Sequence, residues 1–472
     1  MSDSVNTPCK AYTKAQPARE EAETLLGGTK AMREAGETYL PKNERESEKK
    51  YKARLKRSFL YNVFKSTVGT MSAKPFEKPA SVDPINDFYS EFVKDVDRQG
   101  VGLDAFSQNV LKQALAKGMS FILVEMPPKP KDMEGKTLSK HEEEQLGIRP
   151  YWAHIHAENL IGWNFETVGG AKILTRIRIR EVASEPDGEF GEIEHKQVRV
   201  ITPDTWQTYR LKDKSDKEWV LHEQGVRTAG VVTLVAVQAD VAEFMASEPP
   251  LKPLAEKNIE HWQSASDQRN ILHVARVPLL FAKNIDFPED EEGKPTGQVN
   301  TGSIIASNSE HGDLKYVELS GEGSLVQGEK DVERLVDEME SLGGQLMQRK
   351  SGTQRTATED ENDESKGDSA LHHIVTNLET ALGQAFEFTN LLLSQGGEAP
   401  AVTLYKDFSI HNPSMISAED LLKSFLAQGI SHTVYLNEMK ARGLNTPLTA
   451  EEIIDSLGEE AANLPKVTDA DE

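Results

Sequence analysis

Two histidines and a glutamate in the segment HIHAEN, His154, His156 and Glu158, have the residue types and spacing of a metal site. Side chains two residues apart on a β-strand share one face, and imidazole and carboxylate groups are common zinc ligands. Neighbouring members of the set would stand about 6.6 Å apart on an extended strand, too far for one zinc ion unless the chain bends. We therefore interpret them as a polar sheet face and predict no metal site. The alternative, a metal-dependent hydrolase, rests on this cluster alone.

Motifs for nucleotide binding and for nucleophilic catalysis are missing from the sequence. It has no G-x-x-x-x-G-K-[ST] phosphate loop, no G-x-S-x-G nucleophile elbow and no H-E-x-x-H zinc motif. The isolated GEG at 321–323 is typical of a turn, and His372 and His373 point to different faces of a helix. We predict a protein that is not an enzyme, with no catalytic residues and no cofactor.

The composition is that of an acidic globular protein. The 472 residues include 77 Asp and Glu against 54 Lys and Arg, a net charge of −23. This charge argues against a protein that coats nucleic acid, because phosphate binding needs basic contacts, but it does not exclude one that lets DNA pass. The single cysteine, Cys9, forbids an intrachain disulfide and fits a reducing cytosol. Apolar runs are too short to cross a membrane, and the first residues do not look like a secretory signal.

The N-terminal part of the sequence predicts helices. Residues 1 to 40 are polar and predict a loosely ordered arm with one short helix near Ala18–Leu26. Glu46–Met71 has an apolar residue at every fourth position and predicts one helix. Its other face is basic, and it is either solvated or a patch for nucleic acid or an acidic neighbour. The basic residues are Lys49, Lys50, Lys52, Arg54, Lys56 and Arg57.

The middle of the sequence predicts an antiparallel sheet. Ser90–Leu115 is helical in pattern, Gly118 ends that helix, and Ser120–Met126 is a buried strand. Between residues 150 and 237, short alternating segments follow one another with no helix between them, so a doubly wound parallel sheet is not expected. The predicted strands are Ile173–Glu181, Val198–Ile201, Thr205–Leu211, Trp219–His222 and Gly230–Val237.

Three long helices are predicted after the sheet: Leu251–Ala275, Glu329–Met347 and Leu371–Leu392. The first has a polar middle, QSASDQRN, which favours oligomer contacts or a water-filled lumen over the core of a monomer. In the second, Glu333, Asp337 and Glu340 fall on the side opposite the apolar stripe. The segment 351–368 has no large apolar residue and predicts a mobile loop. A strand at Val402–Phe408 and helices at Ser417–Gln428 and His432–Lys440 complete the expectation.

Four ordered segments of this sequence resemble the portal proteins of tailed bacteriophages, in particular a branch long catalogued as a domain of unknown function. Together they span residues 39 to about 410. They contain Tyr39–Pro41 with Tyr51, Arg54, Tyr61 and Pro79; Gly118 with Ile122–Val124, Arg149–Trp152, Glu158–Asn159 and Gly162–Trp163; Pro250–Leu251 with Asn258–Ile259, His261–Trp262, Arg269–Asn270 and Pro278; and Thr356–Glu359.

The resemblance implies an α+β portal fold with an α/β wing, two long stem helices, a small α/β clip and a helical crown. On this sequence it implies the following division: a flexible arm at 1–38, the wing at 39–248, the first stem helix at 249–276, the clip at 277–327, the second stem helix at 328–350, a tunnel loop at 351–369, a wing helix and strand at 370–416, the crown at 417–458 and an acidic tail at 459–472.

The resemblance also implies a role. Portals are rings, usually homododecamers, at one capsid vertex of the virion, and they are assembled in the host cytoplasm. Double-stranded DNA is packaged and ejected through the ring, which docks the large terminase, the major capsid or scaffold protein and a head–tail adaptor, and needs no membrane. The alternative is another virion structural protein, such as a head–tail connector or a scaffold-type protein.

Particular residues take roles under this resemblance. Those expected to line the DNA channel are Glu333, Asp337, Glu340, Arg349, Lys350, Gln354 and Arg355. Carboxylates repeated around a ring repel phosphates and keep a duplex centred, and the cations supply brief, salt-sensitive contacts. Trp262, Ser266 and Arg269 are expected to contact the neighbouring subunit in the stem.

Overall fold

The order of elements along the chain is helical, then sheet, then helical again. The computed structural model describes residues 4–127, 146–212, 218–241, 243–275, 279–284, 311–317, 322–346, 369–393 and 398–406, with residues 408 and 435. The chain divides into two compact units, Met1–Asp407 and Phe408–Glu472. The elements below all belong to the first unit.

The helices and strands are numbered in chain order. The helices are α1 (Lys10–Ala35), α2 (Glu48–Arg57), α3 (Val63–Ala73), α4 (Asp87–Phe92), α5 (Leu103–Lys117), α6 (Lys252–Ala275), α7 (Glu322–Gln345) and α8 (Ala370–Leu393). The strands are β1 (Ser81–Asp83), β2 (Met119–Glu125), β3 (Tyr151–Ile155), β4 (Leu160–Val168), β5 (Ala171–Asp187), β6 (Gly191–Ile201), β7 (Thr205–Leu211), β8 (Trp219–Val226), β9 (Leu234–Gln238), β10 (Leu279–Lys283), β11 (Asp313–Val317) and β12 (Ala401–Thr403).

The sheets are antiparallel, as the sequence predicts, and the fold is mixed α+β. One sheet has the order β3-β2-β9, and the larger one is the meander β4-β5-β6-β7-β8. In β5 the alternation that the sequence indicates is confirmed, because Ile177 and Ile179 are buried while Arg176 is exposed on the opposite face. The buried isoleucines join one apolar cluster with Phe121 and Leu123 of β2.

Strand β2 lies at the centre of the core. Its residues from Met119 to Val124 are all buried, since β3 and β9 flank it and helices α5 and α8 pack against it. Aromatic rings close the core on the α8 side. The Trp152 ring centroid lies 4.9 Å from that of Phe386, and the indole N–H of Trp152 donates a hydrogen bond of 2.9 Å to Thr389 Oγ1.

The N-terminal segment differs from the expected loose arm. Residues 10–35 form one 26-residue helix with a kink at Gly28, whose φ is 73°. Tyr12, Ala22, Leu25 and Met32 are buried on one side of it. These apolar residues are separated by many polar ones and do not repeat regularly, so the sequence shows a weak pattern although the helix packs against α3, α5 and α6.

The basic segment forms two helices rather than the single predicted helix. Helix α2 ends at Ser58, and Asn62 begins α3 by accepting a hydrogen bond of 2.9 Å from the backbone N–H of Lys65. Asparagine is a preferred N-cap residue, so the break has a local cause. The amide of Asn62 also donates to the carbonyl of Leu25 in α1, at 2.6 Å, which fixes the turn between α2 and α3.

The predicted helix Ser90–Leu115 is likewise interrupted. Helix α4 ends at Phe92 and α5 begins at Leu103. The loop between them is built by carboxylates, since Asp95 accepts from the N–H of Gly100 at 2.9 Å and Asp97 from that of Gln99 at 2.8 Å. Side-chain bonds of this kind compete with helix, and Gly118 ends α5 with a φ of 84° as predicted.

A buried asparagine joins α6 to the turn before α3. The side-chain oxygen of Asn258 accepts from the N–H of Phe64, and its amide donates to the carbonyl of Tyr61, both at 2.9 Å. Asn258 is fully buried, and the N–H of Phe64 depends on it for a partner, whereas the carbonyl of Tyr61 also accepts from the N–H of Val63 at 3.2 Å. Exchanging it for an apolar residue of similar size leaves the buried N–H of Phe64 unsatisfied.

We expect Asn258→Leu to lower the free energy of unfolding by about 1–3 kcal/mol, because the N–H of Phe64 is left buried without a partner. The control is Asn270→Leu on the same helix, which removes only an exposed contact with Arg57 and is expected to cost less than about 1 kcal/mol. Urea unfolding of the full chain, followed by circular dichroism, measures both. Equal losses in the two variants would contradict the role assigned to Asn258.

Candidate functional site

Helices α6 and α7 form an antiparallel pair. The ammonium of Lys257 lies 3.1 Å from Glu338, the hydroxyl of Ser264 donates to Asp331 at 3.1 Å, and the amide of Gln268 donates to the carbonyl of Leu325 at 2.8 Å. Residues later in α6 contact residues earlier in α7, so the two helices run in opposite directions. At about 1.5 Å per residue, each 24-residue helix is roughly 36 Å long.

The carboxylates predicted to line a channel lie on the exposed side of α7. Glu333, Asp337 and Glu340 are exposed, whereas Leu335 and Met339 are buried. The exposed and the buried residues of α7 are therefore the polar and the apolar residues that the sequence pattern predicts for its two sides. The exposed side of α7 is not uniformly acidic. Arg334 on this side forms ion pairs with Asp331 at 2.8 Å and Glu338 at 2.6 Å.

The apolar side of α7 also contacts α3. A Cβ atom at Gly343 would lie 2.9 Å from the hydroxyl oxygen of Thr67, so the close approach of α7 to α3 requires a glycine there. Gly343 and Gly344 both lie within the last turns of α7. Thus α7 presents carboxylates on one side and is anchored on the other.

The polar middle of α6 is bonded within the chain rather than left for a neighbouring subunit. Six of its eight residues have hydrogen-bond partners on other segments: Gln263 with Tyr39, Ser264 with Asp331, Ser266 with Ser58, Asp267 with Arg54, Gln268 with Leu325 and Asn270 with Arg57. The polarity therefore reflects side-chain bonds to α2, to α7 and to the segment before α2.

The three residues predicted to contact a neighbouring subunit are placed differently from one another. Trp262 and Ser266 are buried inside the chain, so their side chains face this chain's own helices. Arg269 is exposed, and its guanidinium lies 5.7 Å from the ring centroid of Phe59. Of the three, Arg269 alone retains a surface that another subunit can reach.

Arg54 ties α2 to α6 and to the segment before α2. Its buried guanidinium donates to Glu46 at 2.8 and 3.0 Å and to Asp267 at 3.3 Å. The hydrogen bonds from Arg54 hold the pKa of Glu46 below its usual range, although partial burial acts in the opposite direction. Arg54 thus belongs to the packing of α2, and the other basic residues of that helix remain exposed.

Several predicted residues lie outside the described part of the chain. These are Arg349, Lys350, Gln354 and Arg355 with nearly all of the predicted tunnel loop, most of the predicted clip, and all of the crown and tail except Tyr435. Within the clip region, β10 and β11 form an antiparallel pair between α6 and α7.

The histidine cluster is closer together than an extended strand allows. Strand β3 ends at Ile155, and the chain then turns, with the N–H of Asn159 donating to the carbonyl of His156 at 2.9 Å. This turn brings the His154 and His156 ring centroids to 4.6 Å and His156 Nδ1 to 3.3 Å from Glu158. Only His154 lies within the strand, so the spacing of an extended strand does not apply to the whole cluster.

A buried lysine supplies the positive charge at this cluster. The ammonium of Lys117, at the end of α5, lies 2.7 Å from Glu158 and 2.6 Å from Glu23 of α1. No group of three or more metal-ligating side chains is arranged for a metal ion within the described residues. Lys117 and Glu23 are distant from the HIHAEN segment in sequence, so no local pattern could have indicated them.

The same contacts shift two pKa values. Burial raises the pKa of Glu158, but hydrogen bonds from His156 and Lys117 and the charge of Lys117 outweigh it and lower the value to about 2. Burial lowers the pKa of His154 to about 3, and the nearby positive groups of His156 and Lys117 act in the same direction. His154 is therefore neutral near pH 7, and its Nε2 lies 2.7 Å from the hydroxyl of Ser120.

One family model matches the part of the chain that contains the helix pair. The family model described as "Domain of unknown function (DUF4055)" matches residues 250–390, which run from α6 into α8. No curated protein matches the chain. No helix in the described residues is both long enough and apolar enough to cross a bilayer.

Three solved structures contain similar chains, each at 10% identity. One is described as "Virion of native gene transfer agent (GTA) particle" (TM-score 0.38, covering 79% of this chain and 87% of that chain). Another is described as "Neck of empty GTA particle computed with C6 symmetry" (TM-score 0.37, 79% and 87%). A third is described as "Neck of native GTA particle computed with C12 symmetry" (TM-score 0.35, 79% and 88%).

We expect the stability of the chain to fall as the pH drops from about 6.5 toward 3, because unfolded His154 takes up a proton that folded His154 excludes. Above pH 6.5 this contribution is complete. His154→Asn removes the titration, so the slope between pH 5 and 6.5 should decrease by up to about 1.4 kcal/mol per pH unit. Urea unfolding at several pH values measures it. His222→Asn, at an exposed histidine of β8, is the matched control, and an equal change of slope in the two variants would contradict the role assigned to His154.

Proposed function

We propose that this protein is a portal protein of a tailed bacteriophage, a non-enzymatic ring at one capsid vertex through which double-stranded DNA is packaged and ejected. The observation that best supports the proposal is the order α6, β10–β11 hairpin, α7, in which two long antiparallel helices are joined by a small β element. This order matches the stem and clip that the sequence resemblance implies.

The exposed side of α7 suits a channel for a polyanion. Glu333, Asp337 and Glu340 are exposed, although Glu340 also borders a groove lined by Val63, Thr67 and Met71 of α3. Repeated around a ring, such a stripe repels phosphates and allows a duplex to slide. In the proposed ring, α7 faces the bore, while α6 is held by α2 and α3 on the outer side.

The proposed partners follow from this role. They are other copies of the chain, twelve in the usual portal ring, and double-stranded DNA, the large terminase, the major capsid or scaffold protein and a head–tail adaptor. The second candidate function is another virion structural protein, such as a head–tail connector or a scaffold-type protein. A ring with a different copy number and no terminase binding would favour that candidate.

The proposal is tested by the mass and shape of the assembly. Twelve chains of 52.4 kDa give about 630 kDa, which light scattering distinguishes from a monomer or dimer. Negative-stain images of the same sample should show rings with a central hole. Compact particles without a hole, under all salt and concentration conditions, would reject the portal function.

We expect the triple variant Glu333→Lys, Asp337→Lys and Glu340→Lys to bind double-stranded DNA tightly at low salt, because the bore then attracts phosphates. Binding should weaken steeply as salt rises. Fluorescence anisotropy with a labelled duplex measures the affinity across a salt titration. The control changes Glu166, Glu223 and Glu243, three exposed acids outside the helix pair, to Lys and alters net charge equally. Equal affinities for the two variants would show that the α7 carboxylates do not face the bore.

We expect deletion of Thr353–Lys366 to leave ring assembly intact, since this segment has no large apolar residue to contribute to packing. If it is the tunnel loop, the amount of DNA packaged or retained should fall. Light scattering checks the ring, and nuclease-protected DNA in assembled particles checks packaging. Loss of the ring would show that the loop assignment is mistaken.

A further inference from the structure

The β5–β6 hairpin extends well past the sheet to which it belongs. The pairing of β6 with β7 ends at Gln197 and Arg210, whereas β5 and β6 remain paired from Val182–Lys196 to Asp187–Gly191. No third strand pairs with these six residue pairs in the described part of the chain. At about 3.3 Å per residue the extension is roughly 20 Å long. We call residues 181–196 the hairpin arm.

An aromatic ring occupies the tip of the hairpin arm. Phe190 is 92% exposed, and Val182 along the arm is also exposed. A large apolar side chain held at the end of a paired hairpin is costly to leave in water, and such exposure marks interaction sites when it forms part of a larger surface. Among the described residues no side chain covers this ring, so the tip is available for an apolar contact with a partner.

The rest of the arm is acidic. Residues 181–196 contain six acidic residues and one lysine. Some of the acids are used within the sheet, since Glu181 and Glu185 bond to Arg199 and Arg210 at 2.7 Å. Asp187, Glu189 and Glu194 are exposed near the tip, so the arm presents carboxylates around an aromatic ring.

A surface of opposite character lies on α2. This helix contains six basic residues and one acidic residue, and all of the basic ones except Arg54 are exposed. The segment that follows it presents two rings, because Phe59 is 52% and Tyr61 47% exposed. We call α2 with Phe59 and Tyr61 the basic–aromatic face.

We infer that the hairpin arm of one copy docks on the basic–aromatic face of the next copy. The inference rests on the proposed ring and names its subunit contact. The two surfaces are complementary in charge, each with exposed aromatic residues, and they occupy different places on one chain. Contacts between unlike surfaces of identical chains are head to tail, and they generate closed rings when the rotation closes.

The aromatic residues favour another copy over nucleic acid as the occupant of the basic–aromatic face. Phosphate contacts account for cations, but they leave the exposed Phe59 and the arm's Phe190 unexplained. Arg269, which stacks over Phe59, extends the same surface from α2 onto α6. Arg269 is the exposed member of the three predicted stem contacts, and it therefore adjoins the proposed docking face.

The experiment uses charge reversal on each surface of the full chain. The arm variant carries Asp187→Lys, Glu189→Lys and Glu194→Lys, and the helix variant carries Lys49→Glu, Lys52→Glu and Lys56→Glu. Each alone should raise the concentration for half-maximal ring assembly by about tenfold or more, because like charges then face each other. The variant that carries all six substitutions again has opposite charges on the two surfaces, so it should regain assembly. Light scattering measures assembly, and thermal unfolding verifies that every variant is folded.

Controls and outcomes separate this inference from the proposed function. Reversal of Glu166, Glu223 and Glu243 should leave assembly unchanged. If wild type forms rings and the two three-site variants form them equally well, the docking inference is overturned and the portal function stands. If wild type forms no ring, the proposed function fails first. A third outcome is that the helix variant loses DNA binding and the variant with all six substitutions does not regain assembly. In that case the basic–aromatic face binds nucleic acid, and the inference is overturned.

A photo-cross-linking amino acid in place of Phe190 locates the contact directly. Rings assembled from this substituted chain should give covalent multimers on a denaturing gel after irradiation. Mass spectrometry should place the cross-links at residues 48–61. Cross-links confined to other segments would overturn the docking site.

Discussion

Helix α6 is stable in this fold only because polar partners on other segments meet its polar side. An isolated helix with QSASDQRN at its centre would gain little from burial, since it offers few apolar groups. Here Asn258, Ser266 and Asp267 are bonded to the turn before α3, to Ser58 and to Arg54. The position of α7, and with it the direction of its carboxylates, depends on this anchoring of α6.

Charge is segregated on the surface of an acidic chain. The exposed acids of α7 and of the hairpin arm face solvent in the single chain, while α2 presents five exposed basic residues. A single folded chain needs no such segregation for stability, because exposed charges contribute little individually. It is useful in an assembly, where one acidic surface repels DNA and another selects the neighbouring subunit. Both roles are proposals, and both require many copies in register.

The cluster around Lys117 contains residue types that can ligate metals, but in this fold they hold neighbouring elements together. Glu158 and Glu23 bind an ammonium, and the neutral His154 bonds to Ser120 inside the core. A buried ion pair of this kind is costly to break, because removing the lysine leaves carboxylates without a counter-charge. The cluster therefore fixes α1, α5 and the end of β3 against one another.

Elements with strong periodic patterns could be predicted from the amino-acid order alone: the antiparallel strands of 150–237, the long helices α6, α7 and α8, and the exposed side of α7. Periodicity reports which side of an element is buried, so Leu335 and Glu333 were separated correctly. Periodicity did not predict that α1 is a packed helix, that Glu46–Met71 breaks at Asn62, or that Ser266 and Trp262 are buried within one chain. Those outcomes depend on partners far away in sequence, such as Ser58 for Ser266 and Lys117 for Glu158. They are visible only in the folded chain, because a polar side chain looks the same in sequence whether water, a neighbouring helix or another subunit satisfies its hydrogen bonds.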